Sequence, residues 1–179
     1  MVRRRGHAEA SCPIARALDA IGDWWSLLIV RDAFDGLRRF SEFQKNIGLA
    51  KNILSARLRN LVNDGILTTA PASDGSAYAE YVLTAKGSAL FPVVVALRQW
   101  AADYCFRPGE THVELVDVRN EQPVRKLEIR SRDGRLLKPE DTVVKAPANS
   151  QPPTRKPQAA RKPRASRARR GGVESPRGS

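Results

Sequence analysis

Lys51, Asn52, Ser55 and Arg59 recur at the spacing that sets side chains on one face of an α-helix. Leu54, Leu58, Leu61 and Val62 take the opposite face. Such polar ends suit the edges of base pairs. An Asn amide matches adenine bidentately, a Lys or Arg reaches guanine or a phosphate, and a Ser hydroxyl fits either edge. Upstream, Arg38 and Arg39 precede a second helical stretch that opens at Ser41. The amides of a helix N-terminus add partial positive charge toward a phosphate. Lys45 is a weaker candidate of the same kind. The chemistry on offer is recognition of a polyanionic duplex. The bland alternative is a solvated helix face and two ordinary surface arginines. Arg57 lies beside the buried face and either joins the DNA contacts or holds an internal acid such as Asp64 or Glu42.

Other chemistries find little support. Cys12 and Cys105 are the only cysteines, too far apart for a zinc-site spacing or a disulfide framework, which predicts a reduced intracellular setting. His7 and His112 are isolated, no glycine-rich loop cradles a phosphate, and no nucleophile–base pair stands out. The expectation is therefore no enzyme, no metal and no cofactor. Trp24, Trp25 and Trp100 are expected in the core, with an effector pocket as the alternative. No apolar run approaches the ~20 residues that span a bilayer, and Met1–Gly6 lacks the apolar stretch of a secretory signal, so no membrane partner is expected.

The candidate residues need a frame to hold them. Ile14, Leu18 and Ile21 fall at helical spacing behind Pro13, predicting a first helix. Trp24 to Phe34 is apolar on nearly all sides and should be the central core helix. Ser41 and Gln44 form a capping box opening the third helix, residues 46–49 make a turn around Gly48, and residues 51–63 form the fourth helix. Its leucines should pack on Trp25, Leu28 and Phe43. Two strands, 66–70 and 78–83, flank the turn-rich Pro71–Ser76 and make a hairpin wing. Thr84 then caps one long helix to about Tyr104, kinked near Pro92. Short strands are expected at 113–118, 124–129 and 136–137.

The formal net charge is +12, but from Lys145 onward ten Lys and Arg face Glu174 alone, so most of the basic signal belongs to the tail. The tail is rich in Pro, Ala, Ser and Arg and cannot repay the entropy of ordering. The expected organisation is a flexible N-terminal arm (1–10), a DNA-binding and dimerisation domain (11–106), a small β-rich appendage (107–145) and a disordered basic tail (146–179). The fold class is mainly α with a small β-wing: a winged helix-turn-helix, plus that appendage and tail.

An ordered set of short pieces resembles the HxlR-type family of bacterial transcriptional regulators. It runs Cys12-Pro13, Ile21-Gly22-Asp23, Trp25 to Ile29, Arg38 to Phe43, Asn52 to Leu58, Gly65-Ile66-Leu67, Glu80 to Thr84, Lys86-Gly87 and the Trp100 helix, covering roughly residues 12–104. The resemblance implies a homodimer that binds operator DNA. Its first helix and the helix after the wing would form the dimer interface, here through Ile14, Leu18, Leu90, Val94, Leu97 and Trp100. It also implies, in some members, electrophile or oxidant sensing at the position of Cys12, with Cys105 as a partner across the dimer. The alternative is an inert small hydrophobe. The wing loop carries no basic residue, and Tyr78 stands where the family commonly has an arginine, so minor-groove contact by the wing is in question. Ala50 stands where a capping Ser is frequent.

The expected function is a sequence-specific transcriptional regulator, a repressor, cytoplasmic and nucleoid-associated, with double-stranded DNA and itself as partners and a small-molecule or electrophile effector beside them. The DNA-binding residues are Arg38, Arg39, Ser41, Lys51, Asn52, Ser55 and Arg59. The rivals are a non-specific nucleic-acid-binding or nucleoid-associated protein relying on its tail, and a winged helix used for protein assembly.

Overall fold

The computed structural model describes residues 7 and 10–146, so nearly all of the expected arm and basic tail lies outside the described residues. The described residues fall into two compact units divided between Leu136 and Leu137. In the second, Pro139–Asp141 forms a single 3-10 turn, with the Lys138 N–H donating to Asp141 Oδ2 at 2.9 Å. The α-helices and β-strands all belong to the first.

Helix α1 (Pro13–Ile21) starts on its proline with Cys12 at the N-cap. Helix α2 (Trp24–Phe34) is capped by Asp23, whose carboxylate accepts from the Ser26 N–H at 3.0 Å and the Ser26 hydroxyl at 2.5 Å. Helix α3 (Phe40–Ile47) and helix α4 (Lys51–Asn63) follow, joined through Gly48 at φ 75°, a left-handed conformation that glycine adopts without a Cβ penalty. Strands β1 (Leu67–Pro71) and β2 (Ala79–Leu83) pair antiparallel, Leu67 opposite Leu83 and Pro71 opposite Ala79.

The expected single long helix is two. Helix α5 (Ala85–Ser88) is one turn, and helix α6 (Phe91–Tyr104) restarts with Pro92 in its first turn. A proline lacks the N–H that would bond the Ser88 carbonyl in a continuing helix, and its ring crowds that carbonyl, so the chain breaks rather than kinks. Thr84 holds the junction. Its hydroxyl donates to the Gly65 carbonyl at 2.6 Å and accepts from the Gly87 N–H at 3.1 Å. A Cβ on Gly87 would stand 2.2 Å from the Ile66 carbonyl oxygen, so only glycine lets α5 lie this close to the wing.

Ile29, Val30, Phe43, Leu54, Leu58, Leu61, Ile66 and Leu67 form the fully buried centre. The α4 leucines thus pack on Phe43 as expected, but α2 supplies Ile29 and Val30, with Trp25 only at the margin and Leu28 outside. Trp24 is 76% exposed and Trp100 59%, which corrects the expectation that the tryptophans are core. An all-apolar helix does not reveal which of its sides the neighbouring helices cover.

The expected strands beyond α6 do not form ladders. Only isolated bridges join Val116 to Pro123 and Arg130 to Leu136. Local side chains take the backbone amides instead: Asp117 accepts from the Arg119 N–H, Asn120 from Gln122 and Asp133 from Arg135. Such turns compete with sheet pairing. The segment is pinned to α6. Gln99 donates to the Arg125 carbonyl and accepts from the Leu127 N–H, both at 2.9 Å, and Lys126 pairs with Asp103 at 2.6 Å. No helix among the described residues is long and apolar enough to cross a membrane.

Candidate nucleic-acid interface

Because Leu54, Leu58 and Leu61 are fully buried, α4 must present its other side outward. Asn52 and Arg59 are exposed there, with Ala56 between them and Asn63 one turn beyond. At ~3.6 residues per turn these four share one narrow stripe. Lys51 is exposed at the N-terminal corner of the helix, and Ser55 is half-buried on its flank. The structure therefore brings Asn52 and Arg59 together and sets Ser55 aside. Ala56 was missed. Helical arithmetic alone would have found it, as the small residue that lets a partner approach the helix. The first turn has no side-chain cap, Ala50 offering none. Its leading amides are thus open to an external acceptor.

Arg57 holds Asp23, Nε to Oδ1 at 3.3 Å, rather than either acid considered from the sequence. It ties α4 to the capped start of α2. Asn46, in the last turn of α3, donates to Asp32 Oδ2 at 2.9 Å, and the fully buried Asp32 is further neutralised by Arg31 at 2.6 Å. The turn between α3 and α4 is thereby anchored to the core helix. A buried carboxylate is tolerable only when paired and hydrogen-bonded in this way.

Helix α3 opens one residue earlier than expected, and Ser41 does not cap it. Glu42 reaches back instead, its Oε2 accepting from the Arg38 and Arg39 N–H groups at 2.8 Å each. Those two backbone bonds, Arg39 first, hold the Glu42 carboxyl below its ordinary value. Ser41 is consequently exposed in the first turn.

The two arginines differ. Arg38 is exposed, with one Nη 3.6 Å from Glu80. Arg39 is only 31% exposed at its side chain and pairs with Asp74 at the wing tip at 2.5 Å and with Glu80 at 3.7 Å. The Arg39 bond holds the Asp74 carboxyl well below the usual carboxylate range, and Asp74 raises the Arg39 guanidinium in return. Glu80 is 4% exposed and accepts from the Ser73 N–H and hydroxyl, at 3.2 and 3.0 Å. The Ser73 amide is the main reason its carboxyl is depressed. With the Tyr81 N–H donating to the Arg38 carbonyl at 2.8 Å, this network sews the segment before α3 to the wing. The half-exposed acid of the wing tip therefore engages a cation expected to face DNA.

This network sets a pH dependence. Glu42, Asp74 and Glu80 all titrate lower when folded than free carboxyls do, so their contribution is complete above about pH 5 and fades as pH falls through their folded values. The melting temperatures of the wild type and Glu80→Gln should differ by a constant amount from pH 7 to about 5 and converge below about pH 4. A gap unchanged at pH 3 would show that the ionised network adds nothing.

Cys12 sits at the N-cap of α1 and Cys105 at the C-cap of α6, both exposed and free of disulfides. Among the expected interface residues, Ile14, Leu18, Leu97 and Trp100 are exposed. Leu90 and Val94 are not: they pack on the chain's own core, because the i, i+4 row they occupy is the one turned toward α2. Val93 and Tyr104 take their place on the outward stripe of α6 with Leu97 and Trp100, Tyr104 being 73% exposed. No group of three or more His, Cys, Asp or Glu suited to a metal ion occurs among the described residues.

Residues 20–108 match the HxlR-like helix-turn-helix family. An uncharacterised HTH-type transcriptional regulator of Mycobacterium tuberculosis is 41% identical over 102 residues, 57% of this chain and 65% of that protein, so the match spans just under two thirds of that relative's length. YdeP of Bacillus subtilis, also an uncharacterised HTH-type transcriptional regulator, is 32% identical over 94 residues, 52% of this chain and 73% of YdeP. The crystal structure of PA1607, a candidate transcription factor, is similar at a TM-score of 0.76 and 60% identity, covering 79% of this chain and 99% of that one.

Proposed function

Because the chain belongs to the HxlR-like helix-turn-helix family of transcriptional regulators, and not to a family of enzymes, we propose that it is a homodimeric repressor that binds operator DNA through α4. One observation carries this reading: α4 buries its leucines completely and holds Asn52, Ala56 and Arg59 in an exposed row of the width that enters a major groove. Asn52 and Arg59 read base edges. Ala56 meets a thymine methyl. Lys51, Ser41, Arg38 and the open amides of α4 position the helix on phosphates, which orient but do not specify. Ser55 contributes from the flank. Arg39 contributes through the wing it holds, since Asp74 and Glu80 already neutralise it.

The exposed apolar stripe on α6, with Ile14 and Leu18 on α1, supports self-association. A twofold dimer places two copies of α4 about one helical turn of DNA apart, on the order of 34–36 Å. Occupancy of such a site near a promoter blocks transcription, and DNA binding places the protein with the nucleoid in the cytoplasm.

The discriminating experiment selects bound fragments from genomic DNA, then measures affinity for the enriched sequence and for a shuffled one at a fixed salt concentration. A specific regulator shows a ratio of ~10³ or more. A ratio near one would transfer the reading to non-specific binding by the basic tail.

A further inference from the structure

Behind α6, on the side away from its exposed stripe, lies a partly open cavity of about 560 Å³, its far wall made by the segment that follows the helix. Its apolar walls are Val95, Ala101 and Ala102 of α6, then Phe106, Val113 and Val124. Arg98 lines it too, and also lines a second cavity of about 770 Å³ between α2 and α6, with Ala101, Val113 and Leu115 shared. Arg98 is half-buried, and its guanidinium makes no hydrogen bond or ion pair with the described residues. The other charges on these walls do not engage it, Asp35 of the second cavity being exposed and unpaired with Arg98. Asp103 and Lys126 satisfy each other, Arg31 is held by Asp32, and Glu114 is exposed and unpaired with Arg98.

An arginine stays ionised in proteins, so a half-buried one on an apolar wall is poised for a planar anion that it can hold bidentately. The volume lies in the range of small-molecule sites, ~300–1,000 Å³. We propose that this cavity is the binding site for an amphipathic organic acid, with an aromatic-sized apolar body against Val95, Ala102 and Phe106 and a carboxylate on Arg98. The occupant couples to the DNA-binding half. The second cavity, on the other side of Arg98, is bounded by Asn46, the α3 residue that Asp32 anchors. An anion drawing Arg98 toward it alters the wall that abuts the turn between α3 and α4.

The test uses the full chain without DNA, so its outcome is independent of operator recognition. By calorimetry, 2-naphthoate binds about one per chain, and its neutral isostere 2-naphthamide binds more weakly. Arg98→Gln weakens the acid by about tenfold or more, the effect of losing a charge-assisted hydrogen bond, and leaves the amide unchanged. Ala102→Phe fills the cavity and abolishes both. Val124→Phe fills it from the opposite wall, should the first variant fail to fold. The proposal is overturned if naphthoate does not bind at millimolar concentration, or if acid and amide bind alike and ignore Arg98→Gln. It is also overturned if filling the cavity changes the oligomeric mass, because the space then belongs to a second copy of the chain.

Discussion

Replacing Leu97 and Trp100 together by Glu is expected to turn dimers into monomers and to weaken operator binding by about 10²–10⁴-fold. That factor is the effective concentration lost when two linked binding events become separate. Val93, Leu97, Trp100 and Tyr104 form one outward row on α6, and Trp100 lies beside Tyr104 with the rings tilted by 40° and their centroids 5.9 Å apart. An aromatic side chain buries ~150–250 Å² when covered, and buried interface aromatics commonly contribute about 2 kcal/mol or more each. A carboxylate in their place would have to be desolvated without a partner, which opposes association strongly. None of these four side chains belongs to the buried centre, so the monomer keeps its fold and its weak affinity for a half-site. Light scattering and thermal melting separate the two effects. If the unaltered protein already runs as a monomer, the twofold arrangement is wrong.

Asn52→Ala and Arg59→Ala should each remove ~1–3 kcal/mol of discrimination, roughly 5- to 150-fold in operator affinity, with little change in affinity for shuffled DNA. Both side chains extend from a helix whose opposite face is fully buried, so neither substitution disturbs packing. Arg38→Ala should weaken all sequences alike and lower the salt slope by about one phosphate. Arg39→Ala should act differently again, since its guanidinium binds Asp74 and Glu80: it loosens the wing rather than removing a base contact. Titration of the four variants by fluorescence anisotropy at two salt concentrations distinguishes these patterns. Should Asn52→Ala and Arg59→Ala leave operator affinity intact, α4 is not the reading helix, and the winged helix serves assembly instead.

Much of this molecule was legible in its residues. The leucine period of α4, the glycine turn and the hairpin signal specified the helix-turn-helix and wing, because each rests on local backbone preference and on which side of one element is apolar. The pairing of faces between elements is a different matter. The family resemblance implied Leu90 and Val94 on the dimer face, yet packing against α2 claimed them and left Val93 and Tyr104 outside. Pro92 marked a discontinuity as a kink, but in the folded chain it stands in the first turn of a new helix, α6, after α5 has ended.

Electrostatic partners were the least legible. Nothing in the spacing joins Arg39 to Asp74 or Arg57 to Asp23, since ion pairs between distant segments depend on three-dimensional placement alone. The sequence by itself determined which helix carries the polar row and that the chain is a winged helix. Only the tertiary structure decided which arginines are engaged internally, which apolar residues face outward, and that Arg98 stands on a cavity wall without a partner among the described residues. Local periodicity is written along the chain, whereas a charge's neighbours and a helix's covered side arise only when separate elements pack.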